Sequence, residues 1–128
     1  MISNKKKIFF KGSYFPPGDK SISHRIIILG SQAVGKSIVS NLLEGEDVIN
    51  TIKVMCELGA NIRKKDDKFI IYGLPPGSLF QPKKKLDFGN SGTGIRLIAG
   101  LVSTNNINAV LIGDKSLNSR PMKRVTEH

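Results

Sequence analysis

The sequence predicts an α+β fold with a single domain of mixed strands and helices. Three observations predict it. Apolar residues recur at helical spacing in three separate stretches. Short runs rich in Ile, Val and Phe alternate with those stretches. Two of these runs, Asn61–Lys65 and residues 68–72, flank Asp66-Asp67 as a hairpin. Helices and a hairpin in this order favour a layered α+β architecture.

Taken in order, residues 7–11 (KIFFK) form a short strand, and Pro16-Pro17-Gly18 interrupts the chain. Between residues 21 and 33, Ile22, Ile26, Leu29 and Ala33 share one helical face, which predicts a helix over residues 22–32 with Lys20 and Ser21 at its start. Residues 37–43 form a strand. Glu46-Asp47 opens a second helix with Val48, Ile52, Met55 and Cys56 inside, and Gly59 closes it. The hairpin follows, then a Pro- and Gly-rich loop over residues 73–82. Ile95, Ile98, Leu101 and Val102 mark a third helix, entered through residues 89–94. Residues 109–112 form a strand, and Pro121 begins a last helix.

The 128 residues can bury about two-thirds of the unfolded chain's surface, enough for a core. No apolar run approaches the length of a membrane span, and no signal peptide is expected. The one cysteine, Cys56, excludes an internal disulfide framework and a multi-cysteine zinc site, and it points to a reducing, cytoplasmic setting. Twenty Lys and Arg face ten Asp and Glu, a net charge of +10 that favours anionic partners. Most lysines lie in solvated runs such as Lys83-Lys84-Lys85. Three of the five arginines instead fall inside glycine- and serine-rich motifs.

Two of those motifs echo each other. Gly18-Asp19-Lys20-Ser21-Ile22-Ser23-His24-Arg25 and Gly113-Asp114-Lys115-Ser116-Leu117-Asn118-Ser119-Arg120 are identical at five of eight positions. Each offers a hydroxyl, a lysine and an arginine, groups that bind oxyanions. In the first copy a helix starting near Ser21 presents its positive end, with Arg25 one turn up the same side and Lys20 reaching in from outside. The plain alternative is that Ser21 is only an N-cap and Arg25 only solvated. In Asn90-Ser91-Gly92-Thr93-Gly94-Ile95-Arg96 a small, flexible loop again enters a helix with an arginine four residues after Gly92. There the alternative is a helix entry with Arg96 in a structural ion pair. In the second echo copy Pro121 pushes Arg120 out of the helical region, so the two copies are expected to share chemistry without sharing conformation.

A rival motif is Gly30-Ser31-Gln32-Ala33-Val34-Gly35-Lys36-Ser37, which fits the phosphate-binding pattern G-x-x-x-x-G-K-[ST]. It needs a strand where the Ile22, Ile26, Leu29, Ala33 stripe prefers a helix, and a helix where Ile38 and Val39 prefer a strand. A second rival is a small basic nucleic-acid-binding module. The +10 charge favours it, and the absence of tryptophan and of a stacking motif counts against it.

PPGDKSISHR, LLEGEDVINT, LDFGNSGTGIRL and IGDKSLNSRPMKR, in this order, resemble the 5-enolpyruvylshikimate-3-phosphate synthases, and their wording is most similar to the class II branch. The resemblance runs from about Phe15 to the end. It implies two domains built of βαβαββ units, of which this chain would be an N-terminal fragment with an incomplete first domain. It also implies that residues 1–14 hold a strand packing with the other domain, while residues 15–128 form part of the first. The implied reaction moves the enolpyruvyl group of phosphoenolpyruvate to the 5-hydroxyl of shikimate 3-phosphate and releases phosphate, with no cofactor and no metal. The implied partners are those two small molecules, with neither nucleic acid nor membrane, in a monomeric full-length protein. Carried over by motif, Lys20 touches both substrates, Ser21 and Arg25 hold the shikimate phosphate, and Gly92 and Arg120 face phosphoenolpyruvate. Asn90, Thr93 and Arg96 support that loop, and His24 is structural. The acid and base groups belong to the absent part, so no catalytic residue is assigned here. The sister enzyme, UDP-N-acetylglucosamine enolpyruvyl transferase, is less similar. It has Lys-Asn where this chain has Lys20-Ser21, and it uses a loop cysteine, whereas Cys56 is expected to be a buried, inert thiol.

Overall fold

The computed structural model describes residues 11–127, apart from the side chain of Arg124. The strand expected at residues 7–11 lies outside them except for Lys11, and the chain is irregular from there to Asp19. The elements that follow are α1 (Lys20–Gly30), β1 (Gly35–Ser40), α2 (Glu46–Glu57), β2 (Asn61–Lys65), β3 (Lys68–Gly73), β4 (Leu86–Asp87), α3 (Gly92–Ser103), β5 (Leu111–Ile112), α4 (Lys115–Asn118) and α5 (Lys123–Thr126). β3 pairs antiparallel with both β1 and β2, giving a sheet of order β1-β3-β2. β4 and β5 form a separate parallel pair. Helices and sheets share one chain in the predicted α+β manner, and α1 to β3 has the order of the αβαββ part of the expected unit.

Three helices meet in the middle, each touching the other two. Their core includes Ile27, Val54, Met55, Leu58, Phe88, Ile95 and Ile98, with Ile71 reaching in from β3. The hairpin forms around Asp66, which takes a positive φ of 53°. Gly59 closes α2 as expected. Its φ is +99°, its N–H donates to the Cys56 carbonyl, and the Ala60 N–H reaches the Met55 carbonyl. These two bonds make a Schellman ending, and the left-handed conformation is why a glycine stands there.

The structure corrects four expectations. First, α1 ends at Gly30 rather than residue 32: Ser31 is its C-cap, and the Gln32 N–H turns back three residues to the Leu29 carbonyl instead of four. Second, its inner face is not the Ile22, Ile26, Leu29, Ala33 stripe. Ile22 is 58% exposed and Leu29 65%, whereas Ser23, His24, Ile27 and Ile28 are buried. Residues 26–29 are apolar all round, so periodicity alone has no preferred face there. Hydrogen bonds decide the matter: Ser23 Oγ accepts from the Leu43 N–H, and His24 Nδ1 lies 2.8 Å from Thr51 Oγ1 of α2. Third, Cys56 is exposed, because α2 turns Val48, Thr51, Val54 and Met55 inward instead. What burial the thiol has still pushes its pKa up, so it is held protonated. Fourth, β4 and α4 had no counterpart in the expected elements, β4 being two residues long and α4 a single turn. The expected strand at residues 109–112 shrinks to Leu111–Ile112.

The nucleotide-binding rival fails on element order. Residues 30–37 lead from a helix through a turn into a strand, the reverse of what a phosphate cradle requires. The Ser31 carbonyl in that stretch is already taken by the Leu74 N–H at 2.8 Å. No helix among the described residues is long and apolar enough to cross a membrane.

Two outcomes follow from this packing. Ile27→Ala should destabilise the chain by about 2–5 kcal/mol, and Leu29→Ala by no more than about 0.5 kcal/mol, as read by denaturant unfolding. Equal losses would return the expected stripe to the core. His24 is held below its ordinary 6.5, first by burial, against the pull of Asp47 and with help from Lys20 and Arg25. The unfolded chain therefore binds the proton first as pH falls, and stability present above 6.5 is lost progressively below it. The unfolding midpoint should drop from about pH 7 to about pH 5.5, and less steeply in His24→Asn.

Candidate anion-binding site

The site is built on two helix starts. Asp19, not Ser21, caps α1, its Oδ1 accepting the Ile22 N–H at 2.7 Å. Lys20 and Ser21 are thus the first and second residues of the helix, and their N–H groups have no intrahelical acceptor. Arg25 folds back along the exposed side and donates from Nη1 to the Ser21 carbonyl at 3.0 Å. Lys20 leans the other way and pairs with Asp47 in the first turn of α2. Lys20, Ser21 and Arg25 therefore stand together at one exposed helix end, as the sequence suggested.

The second start is that of α3. Ser91 is its cap and accepts the Gly94 N–H at 3.2 Å. Arg96 donates to the Gly92 carbonyl at 3.1 Å, the same four-residue back-reach that Arg25 makes in α1. Its other terminal nitrogen donates to the Pro121 carbonyl at 3.3 Å, so Arg96 ties α3 to the loop carrying Arg120 rather than forming an ion pair. Arg120 donates to Asn90 Oδ1 and to Ser116 Oγ. Gly92 lies between the two arginines: a Cβ placed on it would sit 3.0 Å from Arg120 Nη1 and 3.2 Å from Arg96 Nη1. Thr93 is half-buried in the first turn of α3. Asn90, Gly92, Thr93, Arg96 and Arg120 are thus brought together, although Arg120 is 24 residues beyond Arg96.

The echo segments share a capped helix start and then part, as expected: α1 runs to Gly30 with Arg25 inside it, whereas α4 stops at Asn118 and leaves Arg120 beyond it. Asp114 caps α4 just as Asp19 caps α1, accepting the Leu117 N–H at 2.7 Å. Arg120 lies past α4, its N–H bonding the Leu117 carbonyl as the chain leaves the turn, and α5 begins two residues after Pro121. Asp114 also accepts from Asn90 Nδ2 at 2.7 Å. The Leu117 N–H, then Asn90, with a smaller pull from Arg120, hold its carboxyl below the ordinary carboxylate range.

The two helix starts are joined through α2. Asp47 takes Lys20, Asn50 donates to the Phe88 carbonyl at 3.3 Å just ahead of the α3 loop, and Thr51 takes His24. The motif reading did not single out Asp19, Asp114, Asp47, Asn50 or Thr51. The repeated aspartate ahead of Lys-Ser was a usable cap signal. Nothing in the spacing announces the α2 residues, whose partners are distant in sequence. Chemically the arrangement presents free N–H groups, hydroxyls and cations at two helix starts joined through α2, a setting for multiply charged oxyanions.

Comparison with known proteins agrees. The family model described as EPSP synthase (3-phosphoshikimate 1-carboxyvinyltransferase) matches residues 7–128. The 3-phosphoshikimate 1-carboxyvinyltransferase of Brucella canis is 56% identical over 109 residues, which is 85% of this chain and 24% of that protein. The protein of that name from Paramagnetospirillum magneticum is 47% identical over 127 residues, 98% of this chain and 28% of the relative. The solved EPSP synthase from Acinetobacter baumannii superimposes with a TM-score of 0.86 at 40% identity, covering 92% of this chain and 27% of that one. The chain therefore spans about a quarter of the length of the relatives it matches. By sequence and by fold alike, this chain belongs to the EPSP synthase family.

Proposed function

We propose that this chain forms one wall of a site that transfers the enolpyruvyl group of phosphoenolpyruvate to the 5-hydroxyl of shikimate 3-phosphate. The observation that supports this most is the clustering of Gly92 with Arg96 and Arg120 beside a second helix start carrying Lys20, Ser21 and Arg25. Two anionic substrates need two adjacent cationic pockets, and the wall carries two.

In this reading Ser21, Arg25 and the first α1 N–H groups hold the shikimate phosphate. Arg120 grips the anionic groups of phosphoenolpyruvate beside Gly92, which adds no side chain of its own to the space the two arginines share. Asn90 holds Arg120 in place, Arg96 and Thr93 shape the loop, and Lys20 reaches both substrates on exchanging its Asp47 partner for them. In the transfer, the 5-hydroxyl gives up its proton to a base as its oxygen bonds to C2 of phosphoenolpyruvate, and C3 takes up a proton from an acid, giving a tetrahedral intermediate. Phosphate then leaves from C2 while C3 returns a proton. Cations fixed around both phosphates neutralise charge that is already in place before reaction, which favours binding and orientation. The groups that move the protons belong, by the family resemblance, to the remainder of the longer protein. No cofactor enters this scheme.

Three measurements test the proposal. In the full-length protein, Lys20→Ala and Arg120→Ala should each lower kcat/KM at least about tenfold, since a charge-assisted contact is worth about 1.5–3 kcal/mol. Lys84→Ala should change it little, because the pair Lys84 makes with Glu57 is at the surface. Equal losses at all three would mean that a diffuse field had been mistaken for a site. The 128-residue chain alone, given both substrates, should release no phosphate above a Lys20→Ala control, because one wall lacks the proton-transfer groups.

A further inference from the structure

The three central helices meet around a buried polar group. His24, Thr51 and Ser91 each have no exposed surface. Thr51 Oγ1 donates to the Asp47 carbonyl at 3.2 Å, so its lone pair is free to accept, and His24 Nδ1–H supplies the proton at 2.8 Å. The Nδ1-protonated tautomer is assigned on this ground, since the other would leave a buried Nε2–H with no acceptor. Among the described residues His24 Nε2 has no partner. On its far side Thr51 meets α3. A Cβ on Gly94 would stand 2.7 Å from Thr51 Oγ1 and 2.6 Å from Ser91 Oγ, so α2 and α3 approach this closely only because residue 94 has no side chain.

We infer that His24 is a positioning residue: its hydrogen bond to Thr51 locks α1 onto the turn of α2 that also abuts the start of α3. It thereby sets the spacing between Lys20, Ser21 and Arg25 on one side and Gly92, Arg96 and Arg120 on the other. This deepens the proposed function and rests on reading the two sets as one site. The Lys20 to Asp47 ion pair closes the same junction from the surface. That outer link is exposed to competing ions, whereas the inner one is shut away from water, so the inner one is the harder constraint. The lone Nε2 makes the lock sensitive to protonation, because a second N–H there would be buried with nothing to accept it. The charged groups acting on His24 are Asp47 from α2 and Lys20 and Arg25 from α1. Asp47 favours its protonation, while the two cations, with burial, oppose it.

The test uses the full 128-residue chain, which has only two histidines, His24 and His128. Nitrogen-15 spectra of both rings are followed through acid titration, together with the backbone amides of Ser91, Gly92 and Gly94. The His24 ring should show Nδ1 protonated in the neutral form, and the three amides should move with the His24 midpoint. Thr51→Val should abolish that shared midpoint. His24→Asn, whose amide N–H can replace Nδ1–H, should keep the neutral-pH amide positions and remove the movement at the His24 midpoint. A His24 titration that leaves Ser91, Gly92 and Gly94 unmoved in the unmutated chain overturns the inference without any variant having to fold. Sulfate, a dianion throughout the range, is then added at neutral pH. If it moves no amide at Lys20, Ser21 or Gly92, the reading of the site fails, whereas the coupling has been decided already.

Discussion

A carboxylate at the start of a helix fixes both arginine-bearing segments. Asp19 and Asp114 each accept the N–H three residues on, at the same 2.7 Å. That bond decides which residue is first in the helix, and everything after it follows by rotation. Lysine becomes the first residue and serine the second in both segments, while the arginine is the sixth residue of α1 but lies two residues past the end of α4. The cap costs something electrostatically, since it places negative charge where an anion would bind. The surrounding lysines and arginines outnumber it, so the helix ends stay cationic while their geometry is fixed.

The same balance recurs throughout the site. Lys20 is held by Asp47, Arg120 by Asn90, and Asn90 by Asp114. Arg25 is held only by a carbonyl of its own helix, and Arg96 by the carbonyls of Gly92 and Pro121. A side chain held by a neutral carbonyl can turn to an incoming anion without abandoning a carboxylate. One held by an acid must exchange partners. Arg25, exposed and tied to one carbonyl, is therefore the more available cation, and Lys20 is the more guarded one.

Much of this was legible in the residues, and the failures have physical causes. The hairpin around Asp66-Asp67, the glycine ending of α2 and the helix after Ser91 depend on contacts within a few positions, and sequence patterns report those well. The resemblance set Gly92 and Arg120 at one substrate, and their segments do lie side by side. The inner face of α1 was misjudged because four consecutive apolar residues carry no directional information. There the choice was made by Ser23 and His24, polar residues that periodicity sends outward and hydrogen bonds draw inward. Cys56 failed for the related reason that Thr51, with its hydroxyl satisfied, occupies the place given to an apolar neighbour. Asp47, Asn50 and Thr51 were invisible because their partners lie tens of residues away.

The outward stripe on α1 has a colloidal consequence. Ile22 and Leu29, with Val34 and Ile38 nearby in sequence, leave large apolar side chains in water on a body of net charge +10. In dilute buffer that charge keeps copies apart. At about 0.15 M salt the screening length shrinks to about 8 Å, and the repulsion reaches little farther than the stripe itself. Apolar area then governs what happens when two molecules meet. The isolated chain is a well-dispersed polycation at low ionic strength and an adhesive one at high ionic strength, so added salt works against its solubility.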